Sequence, residues 1–317
     1  MENKEVFALE KNFISAVIYV HNAEKRIGTF LKEIIDLLEN NFQHSEIICV
    51  NDASEDESLE ELKKVSTKAA SVSVSVINMS YFHGLELAMN AGMDMAVGDF
   101  VFEFDNTCLD FNSSVIMDIY YRALEGYDIV SASPDRKEKI SSGIFYRVFD
   151  RYAELSCKME TESFRILSRR VINRIGSMNR TILYRKAVYA NSGLKMDKLK
   201  YMVTDERRQH PDKKERNYRS GLAVDSLVLF TEIGYRFSMN MTVVMMLVSA
   251  FMLVYSLVTY LTRHPVEGWT TTILFLSVVF LGLFGILTVI VKYLQLLLNL
   301  LFKRKHYSFE NVEKLTK

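Results

Sequence analysis

Two stretches of this 317-residue chain carry no charged side chain at all. The first, Met239 to Leu261 (MNMTVVMMLVSAFMLVYSLVTYL), is 23 residues long, and the second, Ile273 to Val291 (ILFLSVVFLGLFGILTVIV), is 19. As helices, each is long enough to cross a hydrocarbon core of about 30 Å. The link between them, which holds Arg263, His264, Pro265 and Glu267, is short, so a transmembrane hairpin with both ends on one side is expected. Lys303, Arg304 and Lys305 follow the second stretch and a basic segment precedes the first, which assigns both ends to the cytoplasm. The segment before the hairpin, GLAVDSLVLFTEIGYRF (Gly221–Phe237), has an apolar and a polar side and suits a helix lying in the membrane interface. The expected organisation is a cytoplasmic domain over 1–220, an interfacial helix over 221–238, two spans within 239–296 and a cytoplasmic tail over 297–317. The chain is then a multi-pass protein of the cell (inner) membrane.

The first 135 residues alternate between short apolar runs and helical periods. FISAVIYV (Phe13–Val20), EIICV (Glu46–Val50), VSVSVI (Val72–Ile77), the run ending at Asp105, and YDIVSA (Tyr127–Ala132) read as strands. Helical patterns fill the intervals near 24–40, 56–68 and 84–96. Strands separated by helices of this length predict an α/β fold, a parallel sheet covered on both faces. From Ile140 to Ile175 the pattern is helical at both ends with TESFRIL extended between, and Lys195 to Arg219 is dense in charge with little periodicity.

Charge is balanced overall, 39 Lys+Arg against 39 Asp+Glu, but not along the chain. Residues 1–135 hold 9 basic against 24 acidic side chains, and 136–219 hold 22 against 10. That basic segment faces either an anion, such as a phosphate or a lipid headgroup, or the acidic first half of the chain itself. Nothing in the pattern points to nucleic acid. Cys49, Cys108 and Cys157 are odd in number and in no metal-binding spacing, which fits free thiols in a reducing compartment.

Two motifs fall where strands end. VNDASEDES (Val50–Ser58) places Asp52 after the second strand, and GDFVFEFDNT places Asp105 after the fourth. The carboxyl edge of such a sheet is where ligands bind, so either residue is a site candidate or a helix cap. In order along the chain, SAVIYVHNAEKRI, EIICVNDASEDES and HGLELAMNAGMDMAVGDFVFEFDNT resemble family 2 of the inverting glycosyltransferases. With the C-terminal hairpin, the resemblance extends to the polyprenyl-phosphate glycosyltransferases, similar to dolichyl-phosphate mannose synthase and its undecaprenyl-phosphate relatives. It spans roughly Phe13 to Phe309.

The resemblance implies a Rossmann-like nucleotide-sugar fold, called GT-A, anchored by the hairpin. It implies transfer of a sugar, with inversion, from a nucleotide-diphosphate sugar to a polyprenyl phosphate at the cytoplasmic membrane surface, assisted by Mg or Mn. Self-association of such chains through their hairpins is a further possibility. Position by position, Asp52 matches the family's base- or ribose-binding aspartate and His21 its stacking tyrosine. Asp105 matches the first carboxylate of D-x-D, Arg165 the arginine of GDFRL, and Arg169 (or Arg170) the arginine that closes that motif. Arg185 matches an arginine of ERxRFLRG, and Lys213 falls near the SKY lysine.

Several positions depart from the pattern. Thr107 stands for the second carboxylate of D-x-D, Ser163 for the aspartate of GDFR, Asn51 for the first aspartate of DDGS, and Lys186 for the glycine after Arg185. Losing a ligand charge weakens a metal site. Glu103, two residues before Asp105 on the same strand face, is the candidate second metal carboxylate, and Glu162 (or Glu160) the candidate for the base missing at Ser163. The same departures fit a second reading, a catalytically silent relative acting as a regulatory or scaffold subunit.

Overall fold

The computed structural model describes residues 9–136, 140–152, 160–177, 184–190, 192–204, 213–230 and 309–315, with single helical positions between 240 and 297. The chain divides into two compact units. One takes in Met1–Asp150, Leu155–Leu222 and Arg304–Lys317; the other takes in Arg151–Glu154 and Ala223–Lys303.

The first unit is α/β. Its elements begin with the expected alternation: β1 (Ile14–Val20), α1 (Glu24–Asn41), β2 (Ser45–Asn51), α2 (Ser58–Ser66), β3 (Ser73–Met79), α3 (Leu85–Met95), β4 (Phe100–Phe104), α4 (Ser114–Leu124) and β5 (Ile129–Pro134). There follow α5 (Ile140–Tyr152), β6 (Phe164–Ser168), α6 (Arg169–Ser177), α7 (Arg185–Ala190), β7 (Met196–Tyr201), α8 (Lys213–Phe230) and β8 (Phe309–Lys314). The eight strands form one sheet in the order β7-β5-β6-β4-β1-β2-β3-β8.

Strands β3, β2, β1 and β4 are parallel neighbours, and β1 is entirely buried, as a strand with helices on both faces should be. One face packs on α1, α2 and α4 through residues such as Phe30, Leu31, Leu62 and Ile119. The other packs on α3, α6 and α7 through Met89, Val171 and Tyr189. Because β4 lies beside β1 while β2 and β3 lie on its other side, the direction of winding reverses between β1 and β4. A crevice at the carboxyl ends of the strands is the expected ligand position in such a sheet.

Four elements escaped the sequence pattern, the short helix α7 among them. Strand β7 runs through the charged segment at the sheet edge, where Lys198 and Lys200 suit an edge strand better than apolar alternation would. Helix α8 begins at Lys213, eight residues before the expected interfacial helix, because its first turns are polar throughout. The expected cytoplasmic tail holds β8, which pairs antiparallel with β3 (Ile77 opposite Val312) and closes that edge. Lys63 reaches Glu313 at 3.0 Å across the same edge.

In the second unit, the two uncharged stretches fall largely outside the described residues. Among the described residues, no helix is long and apolar enough to cross a membrane. The described positions between 240 and 297 are helical, and a Cβ on Gly282 would lie 2.6 Å from Met245 Cε, with Gly285 facing Met241. Rising numbers on one segment thus meet falling numbers on the other, an antiparallel contact made close by a glycine.

Gly92 has the same use in the first unit. A Cβ there would lie 2.4 Å from Val17 Cγ1 and 2.8 Å from Val50 Cγ2, so α3 sits on β1 and β2 only because the position is bare. Gly92→Ala should destabilise the domain by about 1–3 kcal/mol through overpacking. Thermal unfolding of the purified chain should show a fall of about 2–4 °C per kcal/mol; an unchanged midpoint would contradict this packing.

Candidate active site

The candidate residues gather at the carboxyl ends of β1 to β4. His21 follows β1 and is buried; its Nδ1–H donates to the Asp52 carbonyl oxygen at 2.7 Å, and its ring tilts against Phe82 at 4.8 Å. Asp52 follows β2 and is fully buried. Its carboxylate accepts from the Tyr19 hydroxyl (3.0 Å) and from the backbone N–H groups of His83 and Gly84 (both 2.8 Å). Burial pushes the Asp52 carboxyl above its ordinary value in spite of these donors. Three donors on a side chain without solvent contact leave Asp52 no surface for a base or ribose in this arrangement. It ties the turn after β3 to the end of β2.

That turn is fixed by Gly84, whose φ of 83° favours glycine. The ring of Tyr218, from α8, lies where a Gly84 Cβ would be, 2.3 Å from it, and meets Phe82 edge-on at 5.9 Å. Lys214 on the same helix pairs with Glu55 at 2.5 Å. Ala53, one residue past Asp52, holds a left-handed φ of 49°, a conformation costly for alanine. Lys213 is the first residue of α8, and its side chain lies outside the described residues.

The second cluster centres on Asp105 and Glu103. Arg165, on β6, stands opposite Glu103 in the β4–β6 register. Its guanidinium reaches Glu103 Oε2 at 2.9 Å and Asp105 Oδ2 at 2.7 Å. Arg185, opening α7, reaches the other oxygens of the same pair: Asp105 Oδ1 at 2.7 Å and Glu103 Oε1 at 2.8 Å. Tyr189, one turn along α7, donates to Glu103 Oε1 at 2.7 Å and lies under Arg165 at 5.5 Å. Glu86, in the first turn of α3, accepts from the backbone N–H and Nε of Arg185, both at 2.9 Å. Glu162 lies 3.3 Å from Arg165 Nε.

Both arginines are only 1% exposed. Burial alone would raise the Asp105 carboxyl, but Arg165, Arg185 and Lys186 hold it well below the usual carboxylate range. Burial alone would lower both guanidiniums, yet the facing carboxylates keep them charged. Lys186 is likewise held above its ordinary value: burial works against it, and Tyr146, Glu162 and Asp105 outweigh burial.

These residues do not fit a divalent cation. Such an ion binds where negative charge is in excess, but each oxygen of Asp105 and of Glu103 faces a cationic nitrogen at 2.7–2.9 Å, and the two guanidiniums repel a further cation. Thr107 offers a buried hydroxyl where the pattern has a carboxylate. Among the described residues no group of three His, Cys, Asp or Glu side chains is disposed to hold a metal.

Asp105, Glu103, Glu162, Arg165 and Arg185 thus meet at one point, and His21 meets Asp52. Arg169 meets neither group. Strand β6 runs antiparallel to β4, so four residues beyond Arg165 the chain has reached the amino end of β4. There Arg169 donates to the Gly98 carbonyl through Nε at 2.8 Å. Sequence reasoning missed Glu86, Tyr189 and Tyr218. The one available signal was the four-residue spacing of Arg185 and Tyr189.

The winding and the carboxylates gathered at the strand ends define an α/β domain of the GT-A kind. Residues 15–176 match the family model for Glycosyl transferase family 2, and the chain belongs to that family of transferase enzymes. It is 28% identical over 183 residues to "Uncharacterized glycosyltransferase sll0501" of Synechocystis sp. (strain ATCC 27184 / PCC 6803 / Kazusa), covering 56% of this chain and 57% of that one. It therefore spans little more than half of that relative's length. It is 26% identical over 281 residues to the bactoprenol glucosyl transferase of Shigella phage SfV, covering 85% of this chain and 88% of that one. The fold is similar to that of glucosyl-3-phosphoglycerate synthase from Mycobacterium tuberculosis, solved in complex with Mn2+ and UDP-glucose. The TM-score is 0.50 and the identity 15%, with 70% of this chain and 80% of that one covered.

Asp105 holds its arginines in place, so Asp105→Asn should cost stability as well as activity, about 3–5 kcal/mol for a partner removed from a buried ion pair. Its folded-state value is depressed, so its contribution is complete above the unfolded value near pH 4 and is lost as pH falls through the folded value. Below about pH 4 the melting temperature of the unsubstituted chain should fall more steeply than that of Asp105→Asn. Parallel slopes would contradict the ion-pair assignment.

Proposed function

We propose that the chain is a membrane-attached inverting glycosyltransferase that moves a sugar from a nucleoside-diphosphate sugar to a polyprenyl phosphate, its α/β domain on the cytoplasmic side. The observation that carries this reading is the pairing of β8 with β3. The chain leaves the α/β unit after Leu222 and returns to it at Arg304, with both uncharged stretches between. Strand β8 can join β3 only if that interval crosses a membrane an even number of times, as a two-helix hairpin does.

Three further observations support it. The helical positions of the second unit expose Val244, Leu247, Phe251, Leu276, Leu283, Leu287 and Ile290, each 43–68% accessible, a surface suited to lipid. The likeness to the phage bactoprenol glucosyl transferase extends well beyond residues 15–176. The basic segment 136–219 suits a surface that faces anionic headgroups and an acceptor phosphate.

A phosphate acceptor also accounts for Ser163. A hydroxyl acceptor must lose a proton as it attacks, whereas a phosphate monoester near pH 7 is largely dianionic, its second pKa being about 6. Its oxygen attacks the anomeric carbon directly, and the bond to the nucleoside diphosphate breaks with its electron pair on the leaving oxygen. No general base is required. Ser163 Oγ is instead hydrogen-bonded to the Tyr201 hydroxyl at 2.6 Å, and Glu162 is an ion-pair partner of Arg165.

Membranes holding the full chain, given undecaprenyl phosphate and labelled UDP- or GDP-sugars, should yield solvent-extractable, lipid-linked label. No label with any donor, from chain shown to be folded, would overturn the reading in favour of a silent subunit. Glu162→Gln should lower turnover by less than about tenfold, where removal of a general base costs about 10²–10⁴. A loss in that higher range would return the base role to Glu162.

A further inference from the structure

Every other cation of the Asp105 cluster is committed. Arg165 is shared among Glu103, Asp105 and Glu162, and Arg185 among Glu86, Glu103 and Asp105. Lys186 differs. It follows Arg185 in α7 and is half-buried; among the described residues its ammonium makes no hydrogen bond or ion pair within 4.0 Å. It nonetheless lies within electrostatic range of Asp105, Glu162 and Arg165.

A transferase that breaks a sugar–diphosphate bond must stabilise the charge that gathers on the leaving oxygen. Asp105 and Glu103 do not fit a divalent cation, because each of their oxygens already faces a guanidinium nitrogen at 2.7–2.9 Å and two arginine charges repel a further cation. The chain carries a hydroxyl at Thr107 where the family pattern has a carboxylate and an ammonium at Lys186 where it has a glycine, so at these two positions a negative charge is absent and a positive one is added. We infer that Lys186 takes the part of the divalent cation, its ammonium contacting the donor diphosphate while the Glu103–Asp105–Arg165–Arg185 cluster holds α7 in place, and that the donor binds without metal.

The inference rests on the transferase reading above. In the step it serves, the anomeric carbon–oxygen bond breaks with both electrons on the diphosphate, and the acceptor phosphate oxygen forms the new bond. Lys186 remains an ammonium before and after, donating hydrogen bonds to phosphate oxygens. No proton crosses, and nothing is oxidised or reduced. Arg185 and Tyr189 are positioning residues here: they set the pitch of α7 from which Lys186 projects.

The test is nucleotide and metal binding by the full purified chain, with UDP and GDP as probes, in EDTA and in Mn2+. The expected result is binding of one nucleotide with affinities that agree within about threefold between the two conditions, and no Mn2+ signal from the protein by electron paramagnetic resonance. Lys186→Ala should weaken that binding about tenfold or more, the loss of a charge-assisted hydrogen bond, and Lys186→Arg should restore most of it. Circular dichroism of each variant separates lost contact from lost fold. Nucleotide bound only with Mn2+, or a folded Lys186→Ala chain that binds as tightly as the parent, would overturn the inference and leave the transferase reading standing. Binding of neither nucleotide under any condition would overturn both.

Discussion

Four side chains from three elements form the buried centre of this domain: Glu103 and Asp105 at the end of β4, Arg165 from β6 and Arg185 from α7. Each arginine bridges both carboxylates, so neither charge can leave without stranding two partners. An unpaired guanidinium at 1% exposure is far too costly to persist. The pairing therefore fixes where β6 and α7 lie relative to β4, and Glu86 extends the constraint to α3 through the backbone N–H of Arg185. A hydrophobic isostere could pack this volume with similar stability. What it could not do is hold charged groups at the carboxyl end of β4, beside Lys186 of α7.

Asp52 plays the same organising part at the other end of that crevice. Its buried carboxylate gathers Tyr19 from β1 and the 83–84 backbone after β3, and Gly84 then leaves room for the Tyr218 ring. The two carboxylates most easily picked out as ligand-binding, Asp52 and Asp105, are thus both engaged by the protein itself. A ligand must then meet other side chains, and Lys186 is the one assigned that part above. This explains how a family 2 domain keeps its architecture while its motif residues depart from the common text. Asp52 and Asp105 are held by the fold's own hydrogen bonding, which needs no ligand.

How much of this was legible in the sequence follows from the range of each interaction. The alternation from β1 to β5 was legible because burial on two faces and helix amphipathicity are local periodicities. Asp105 was legible because it ends such a run. Glu103 was visible only as an acidic residue in an apolar strand; its reason is Arg165, 62 residues away, and no local pattern announces that. Arg169 was misplaced because the motif gives spacing and not direction: an antiparallel β6 carries it to the far end of β4. Strand β8 was missed because a short, charged tail becomes a strand only when an edge is offered to it.

That last element has the widest consequence. An exposed β3 edge would leave a row of unpaired backbone groups on the sheet, and the chain satisfies them with residues 309–314, beyond both uncharged stretches. The α/β sheet is therefore complete only when the chain beyond both uncharged stretches has come back to it. On the membrane-attached reading proposed above, a single crossing would leave β3 bare and β8 stranded, whereas a hairpin meets both requirements. The antiparallel contact of Gly282 with Met245 is the close approach such a hairpin needs. On the proposed reading the same geometry suits a reaction between a water-soluble donor and a lipid phosphate, since a domain tied at both ends of such a hairpin would be held at a membrane surface.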